Sequence, residues 1–348
     1  MTPNCASFAR ALGIKLPIIQ APMAGVQGSA LAVAVSNVGG LGSLPCAMLT
    51  PEAMHNELTA IAAGTARPFN VNFFCHTPPQ PNADQERGWR ETLSPYFAEL
   101  GIDIASVPPG AGRLPFSEEA AKVLERFRPR VVSFHFGLPS DDLLARVRGW
   151  RAQVWSSATT VDEARWLAAR GVDAIIAQGM EAGGHRGMFL SRDLHSQCAT
   201  FDLLNAVVRT VDVPVIAAGG LASADAVARA FDLGAAAVQV GTAFMLCPEA
   251  TTSAVHRRAL LAGNYETALT TLFTGRPARG IVNRLMRELG PIHPAAPEFP
   301  LATAAIAPLR AAAEKNGSGD FSPLWSGVNP PRFDGVSAAE VVRRLMPD

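Results

Sequence analysis

The sequence predicts an α/β fold, a (β/α)8 TIM barrel of eight parallel strands, and three observations carry that reading. Short apolar runs alternate with stretches of helical spacing along most of the chain, and alternation of this kind is the pattern of a parallel sheet. Eight such units can be counted, without the Asn-Gly signal that would mark a hairpin, and eight is the number that closes. A doubly wound open sheet for a dinucleotide would place G-x-G-x-x-G after its first strand, and that motif is absent.

The first strand lies within Leu16–Pro22 (LPIIQAP) and stops at its proline. Small residues from Ala30 to Asn37 form a helix ended by Gly39-Gly40, and Leu41–Leu44 is the second strand. Thr50 caps the next helix, with Pro51 at its first position and Glu52 in its first turn. Pro68–Phe74 is the third strand, with Asn70 and Asn72 on one face and Val71 and Phe73 on the other. A helix reaches about Leu100, and Gly101–Arg113, rich in proline and glycine, is expected as an irregular excursion. Strands four to six follow at Val131–Phe136, Gln153–Ser157 and Ala174–Gln178, each separated from the next by a capped helix.

The most informative stretch is Val211–Pro248. Val213–Ala218 is a buried strand ended by Gly219-Gly220, Ser223–Leu233 is a helix stopped by Gly234, and Ala237–Val240 is a strand ended by Gly241-Thr242. Backbone N–H groups converging at glycine turns suit a phosphate, and barrels typically build that site after strands seven and eight. Steric relief in tight turns is the plainer reading of the same glycines. From Ser253 onward the pattern reads as helices only: Glu266–Phe273, Arg279–Leu289, Leu301–Lys315 and Ala338–Met346. The expected division is therefore a barrel over residues 1–252 and a helical extension over 253–348, packed as a small side layer near the barrel mouth.

Composition narrows the function. Hydrophobic residues make up 48% of the 348, so a large core needs no disulfide support. Thirty basic residues balance thirty acidic ones, which leaves no basic footprint for nucleic acid. The five cysteines form no CxxC pair, and HExxH and GxSxG are missing, so neither a metal site nor a serine-nucleophile elbow is expected. No run reaches membrane-spanning length and no basic, apolar leader opens the sequence, so the chain reads as soluble and cytoplasmic, with a homodimer left open.

In a barrel, chemistry sits at the carboxyl ends of the strands. Those ends hold Gln20 to Met23, Asn72, His135, Gln178, Glu181, His185, Gly219-Gly220 and Gly241-Thr242. His185, set among glycines in EAGGHRG, has room to face a ligand and titrates in the range useful for proton transfer or anion binding. His135, between phenylalanines in SFHFG, reads equally as a pocket group or as a core histidine bonded to backbone. Asn72 and Gln178 suit the polar edge of a flat heterocycle, or simply satisfy strand-end backbone.

Six segments together resemble a known family. PIIQAPMAG (Pro17–Gly25), NVNFF (Asn70–Phe74), HFGLP (His135–Pro139), QGMEAGGHRG (Gln178–Gly187), AAGGLA (Ala217–Ala222) and QVGTAF (Gln239–Phe244) are similar, in order, to the nitronate monooxygenases. The resemblance implies an FMN-dependent barrel that oxidises alkyl nitronates, and in some members nitroalkanes, with oxygen to a carbonyl compound and nitrite. It implies that Asn72, Gln178, Gly183, Gly219, Gly220, Gln239, Val240, Gly241 and Thr242 hold FMN, with the backbone of Ala21 to Met23 along the isoalloxazine. It further implies His185 as the catalytic histidine and His135 as a second histidine of the pocket. The partners are then a small-molecule substrate and oxygen. Related flavin barrels suggest the alternative of an NAD(P)H:quinone or enoyl-thioester reductase, and a flavin-binding protein with little turnover is a third reading. The chain departs from the family's pattern at Val328, after Trp325-Ser326-Gly327 where Trp-x-Gly-Gln is usual, and at Phe299, where a tyrosine is expected.

Overall fold

A computed structural model describes residues 2–107 and 113–347; the centre of the expected excursion, 108–112, lies outside the described residues. In chain order the strands are β1 (Ile18–Gln20), β2 (Gly42–Pro45), β3 (Phe69–Phe74), β4 (Val131–His135), β5 (Gln153–Ala158), β6 (Ala174–Gln178), β7 (Gly184–His185), β8 (Val215–Ala218), β9 (Ala237–Val240), β10 (Thr267–Thr270) and β11 (Ala278–Ile281). Eight of them form one parallel sheet in the order β1-β9-β8-β6-β5-β4-β3-β2. A parallel bridge between Ile19 and Leu41 joins its two ends, with Leu41 N–H donating to the Ile18 carbonyl and Gln20 N–H to that of Leu41, both at 2.9 Å. The sheet is thereby closed, as the strand count predicts.

Local chemistry explains the helices between strands. The Thr50 hydroxyl accepts from Ala53 N–H and Pro51 occupies the first turn, so one orphan donor is satisfied and another never exists. Ser223 caps helix Ala224–Asp232 in the same way, and Gly234 leaves it with φ of +94°, a left-handed conformation that glycine adopts without strain. Inside the barrel, Ile19, Leu41, Val131, Trp155, Ala174 and Ile216 form a closed apolar cluster. Phe8 and Leu12 of helix Pro3–Leu12 join that cluster, Phe8 lying 5.7 Å from Trp155 between ring centroids. The helix plugs the amino-terminal mouth, and the interior stays accessible only from the carboxyl ends of the strands.

The C-terminal segment corrects the sequence reading. Two of the four stretches expected as helices contain strands: β10 falls within Glu266–Phe273, and β11 opens Arg279–Leu289, whose helix begins only at Arg284. They pair antiparallel, Thr267 opposite Ile281, and β11 pairs in turn with β7, Ala278 opposite His185. The β-branched Thr267 and Thr270 of β10 fit a pleat better than a helix, and the next strand, β11, satisfies their backbone while β7, distant in sequence, pairs with the other edge of β11. The other two helices form as expected. Thr303–Lys315 packs on helix Ala83–Glu99, whose Trp89, Leu93 and Phe97 share an apolar cluster with Leu309 and Phe321.

The last helix, Ala338–Leu345, returns to the barrel wall. It packs on helices Ser29–Val38 and Ala224–Asp232, burying Val341, Val342 and Leu345 completely. This is the place that a helix after β9 would fill; β9 instead leads into a 3₁₀ turn, Thr242–Phe244. No helix among the described residues is long and apolar enough to cross a membrane.

Candidate active site

Thirteen of the residues singled out in the sequence line one cavity at the carboxyl ends of the barrel strands: Ala21, Met23, Asn72, His135, Gln178, Gly183, His185, Gly219, Gly220, Gln239, Val240, Gly241 and Thr242; Gln20 and Glu181 do not. Its base is the apolar interior, where Ile176 and Ala218 reach the cavity. Its rim is made by the loops.

The glycine turns shape one side. Gly219 and Gly220 have φ of +117° and +70°, and a Cβ on Gly219 would stand 2.8 Å from Thr200 Oγ1 and 2.9 Å from Ala182 N. Only glycine fits there. Among the described residues the amides of Gly220, Leu221, Gly241 and Thr242 find no protein acceptor, so four N–H donors border the same space. Nearby, Gln239 Oε1 is buried without a hydrogen-bond partner. Asn72 turns its amide nitrogen toward the wall, 2.9 Å from Ser133 Oγ and 3.2 Å from the Ser133 carbonyl. Ala21 N–H donates to the Val240 carbonyl at 2.8 Å and Met23 N–H to Gln27 Oε1 at 3.1 Å, which ties the β1 turn to β9 and its own loop.

His185 sits on the opposite side, and its position is over-determined. Its carbonyl accepts from Gln178 Nε2 at 3.0 Å and from His135 Nε2 at 3.1 Å, while Gln178 Oε1 accepts from Gly187 N–H at 2.8 Å. Since His135 Nε2 must carry the proton, its Nδ1 accepts from the Ser157 hydroxyl at 2.9 Å. Both nitrogens of His135 are thus used by the protein, and the residue lines the pocket while bonding to backbone: the two readings of the sequence coincide. Arg186, fully buried, donates to the carbonyls of Gly179 and Gln178 at 2.6 and 2.7 Å and to Gln197 Oε1 at 2.9 Å. The loop that carries His185 is pinned on both sides. His185 Nε2 lies 3.0 Å from Thr274 Oγ1, and its Nδ1 has no protein partner among the described residues.

Rings surround this imidazole: Phe299, Trp325 and Phe74 have centroids 5.3, 5.5 and 5.9 Å away. Burial first, then the positive charge of Arg113, holds its pKa well below the usual histidine value. Burial likewise lowers His135 to about 3. His185 and His135 are neutral at physiological pH.

Thr274, Arg113 and the segment that crosses the mouth went unread in the sequence, whereas Glu181, one of the strand-end candidates, does not line the cavity. Glu181, at a strand end, faces away: its carboxylate accepts from Thr200 N–H and Oγ1 at 2.8 and 2.7 Å and caps helix Thr200–Val208. Thr274 and Arg113 reach the imidazole or the cavity from segments with no local signal. The segment Trp325–Asn329 crosses the mouth, where Gly327 N–H donates to Thr242 Oγ1 at 3.0 Å and Asn329 Nδ2 to the Gly220 carbonyl at 2.6 Å. Among the described residues no group of side chains could hold a metal ion.

Comparison with known proteins agrees with this geometry. The family model for nitronate monooxygenase matches residues 7–348. The chain belongs to the nitronate monooxygenase family. A nitronate monooxygenase of Pseudomonas aeruginosa is 40% identical over 346 residues, covering 97% of both chains. One from Paraburkholderia phytofirmans is 40% identical over 343 residues, covering 96% of this chain and 92% of the relative. Among solved structures, nitroalkane oxidase from Streptomyces ansochromogenes superposes with a TM-score of 0.88 at 38% identity, over 97% of this chain and 96% of that one. FabK from Thermotoga maritima, at 24% identity and a TM-score of 0.72, shares the fold. As a member of the nitronate monooxygenase family the protein is an oxidoreductase acting on a small molecule.

The buried histidines of this family member also set a stability profile. His76 and His256, each 5% exposed, are both lowered by burial to about 4. Folded, these two and His135 stay neutral down to those values, whereas unfolded they protonate near 6.5. Above 6.5 neither state takes protons; as the pH falls below it, the unfolded state binds more and stability drops. Each histidine should cost up to about 1.4 kcal/mol per pH unit below that point. Denaturant titrations across this range should show the decline, and His256→Gln, which keeps a donor for the Trp325 carbonyl, should flatten it; an unchanged slope would mean that His256 titrates normally.

Proposed function

We propose that the protein binds FMN in this cavity and oxidises alkyl nitronates with oxygen, releasing a carbonyl compound and nitrite. The observation that carries the reading is the pairing of four acceptor-less amides in two glycine turns with a neutral, pinned imidazole across the same cavity. The residues fit the cofactor. The turns at Gly219-Gly220 and Gly241-Thr242 offer a phosphate its donors, and the buried, unpartnered Gln239 Oε1 asks for a polar ligand. Gly183, Val240 and the side chains of Asn72 and Gln178 would border the rest of the group, with Ala21 to Met23 along its ring. FMN, when bound, supplies the two-electron oxidation and the reaction with oxygen.

The chain's own part is to bind and orient the substrate. A histidine with so depressed a pKa is a weak base, so removing the α-proton of a neutral nitroalkane is poorly served. Donation to an anion is well served. Where the Thr274 hydroxyl gives its proton to Nε2 at 3.0 Å rather than to the Arg276 carbonyl at 3.4 Å, the imidazole proton sits on Nδ1, the nitrogen without a protein partner among the described residues, and can be shared with a nitronate oxygen. Arg113, which lines the cavity with one buried guanidinium nitrogen unpartnered, adds positive potential. His135 acts through the His185 carbonyl as a positioning residue, and the aromatic rings exclude water.

Anaerobic mixing tests this. A nitronate should bleach the bound flavin within the turnover time, and NADH should not. Bleaching by NADH alone would replace the reading with a reductase for a quinone or an enoyl thioester, and bleaching by neither would leave a flavin carrier.

A further inference from the structure

A second, smaller cavity lies on the far side of the Phe299 ring. Phe299 packs edge-on against His185 of the first cavity at 5.3 Å and against His76 of the second at 4.8 Å between centroids, so the rings of His185 and Phe299 stand between the two spaces. His76, Met188, Arg192, Arg276 and Glu298 line the second cavity with it. Two of these lining residues each hold a buried polar atom without a hydrogen-bond partner, His76 Nδ1 and Arg276 Nε. Unpaired buried groups are destabilising, so two in one small cavity point to a ligand.

The chemistry of these atoms says which. Arg276 is fixed by its stack on Phe136, 3.7 Å from the ring centroid, and by donation to the Met188 carbonyl, which leaves the Nε–H without an acceptor. Arg192 and Glu298 pair at 2.7 Å and cancel, so the cavity keeps one net positive charge. His76 is 5% exposed and gives its Nε2 proton to the Arg113 carbonyl at 2.9 Å, so Nδ1 holds a bare lone pair.

We propose that this cavity binds a small oxyanion, nitrite in the reaction proposed above, which accepts the Arg276 Nε–H and waits there after leaving the active site past Phe299. The identity of the anion rests on that reaction; the anion site does not. Burial first, and then the charges of Arg276 and Arg113, disfavour protonation of His76, and an anion offsets the charges. The lone pair on Nδ1 is then satisfied by a proton taken up with the anion, and binding tightens as the pH falls.

Titration calorimetry of sodium nitrite into the FMN-loaded protein, without turnover, tests the site. Arg276→Lys keeps the charge but removes the Nε–H and should weaken binding about tenfold. Glu298→Gln, at a half-exposed position, frees the charge of Arg192 and should tighten binding about threefold. In steady state, nitrite should inhibit nitronate oxidation with a mixed pattern. Purely competitive inhibition, an affinity indifferent to Glu298→Gln, or chloride binding as tightly as nitrite would overturn the proposal. So would the absence of any heat, which would leave the cavity to water. If nitrite binds in this way while no nitronate is oxidised, the function above fails and the oxyanion site stands.

Discussion

Replacing His185 by asparagine lowers kcat/KM for a preformed nitronate by about ten- to a hundredfold, the worth of one hydrogen bond to a charged group. FMN content should stay unchanged, because the glycine turns and Gln239 lie across the cavity from His185. The neutral nitroalkane provides the contrast. A general base would make its turnover fall by about 10²- to 10⁴-fold in the variant, far more than that of the nitronate. The half-buried, neutral imidazole leads to the opposite expectation: wild-type turnover of the nitroalkane follows the nitronate that forms in solution, and the variant loses the same factor on both substrates. A much larger loss on the nitroalkane would restore proton abstraction to His185. No loss on either would remove it from the site.

Gly241→Asp should give colourless, folded protein. The position has a negative φ of −114°, not the left-handed conformation that favours glycine, and an added Cβ would meet Met23 Sδ at 3.4 Å, Ala21 Cβ at 3.5 Å and Met23 Cγ at 3.9 Å, normal contacts. Folding is therefore spared while a carboxylate enters the ring of amides meant for a phosphate, where like charges repel. Absorbance of the released flavin, with circular dichroism as the check on folding, measures it. Full flavin content in a folded variant would move the phosphate elsewhere, and FMN with it.

The barrel was legible because its signals are local. The runs at Val131–His135, Ala174–Gln178 and Ala237–Val240 are buried by their own composition, and caps such as Thr50 and Ser223 act within three residues. The glycine turns were equally readable, since a turn with φ of +117° at Gly219 admits no other residue easily. The strands β10 and β11 were missed because four-residue runs such as Thr267–Thr270 are too short to show an alternating pattern, and the outer edge of β11 is covered by β7, a strand of two residues distant in sequence that no periodicity can reveal.

The sequence by itself determined the closed barrel, the glycine turns and the residues that face the cavity, because strand ends and turns are set by neighbours a few positions away. Tertiary structure decided what those residues can do. His185 is held in place because Thr274 lies 3.0 Å from its Nε2 and His135 and Gln178 share its carbonyl, and it is neutral because burial among rings from distant segments, and then the charge of Arg113, lower its pKa. Charge state depends on solvation and on partners from every side, and those partners meet only when the chain has folded.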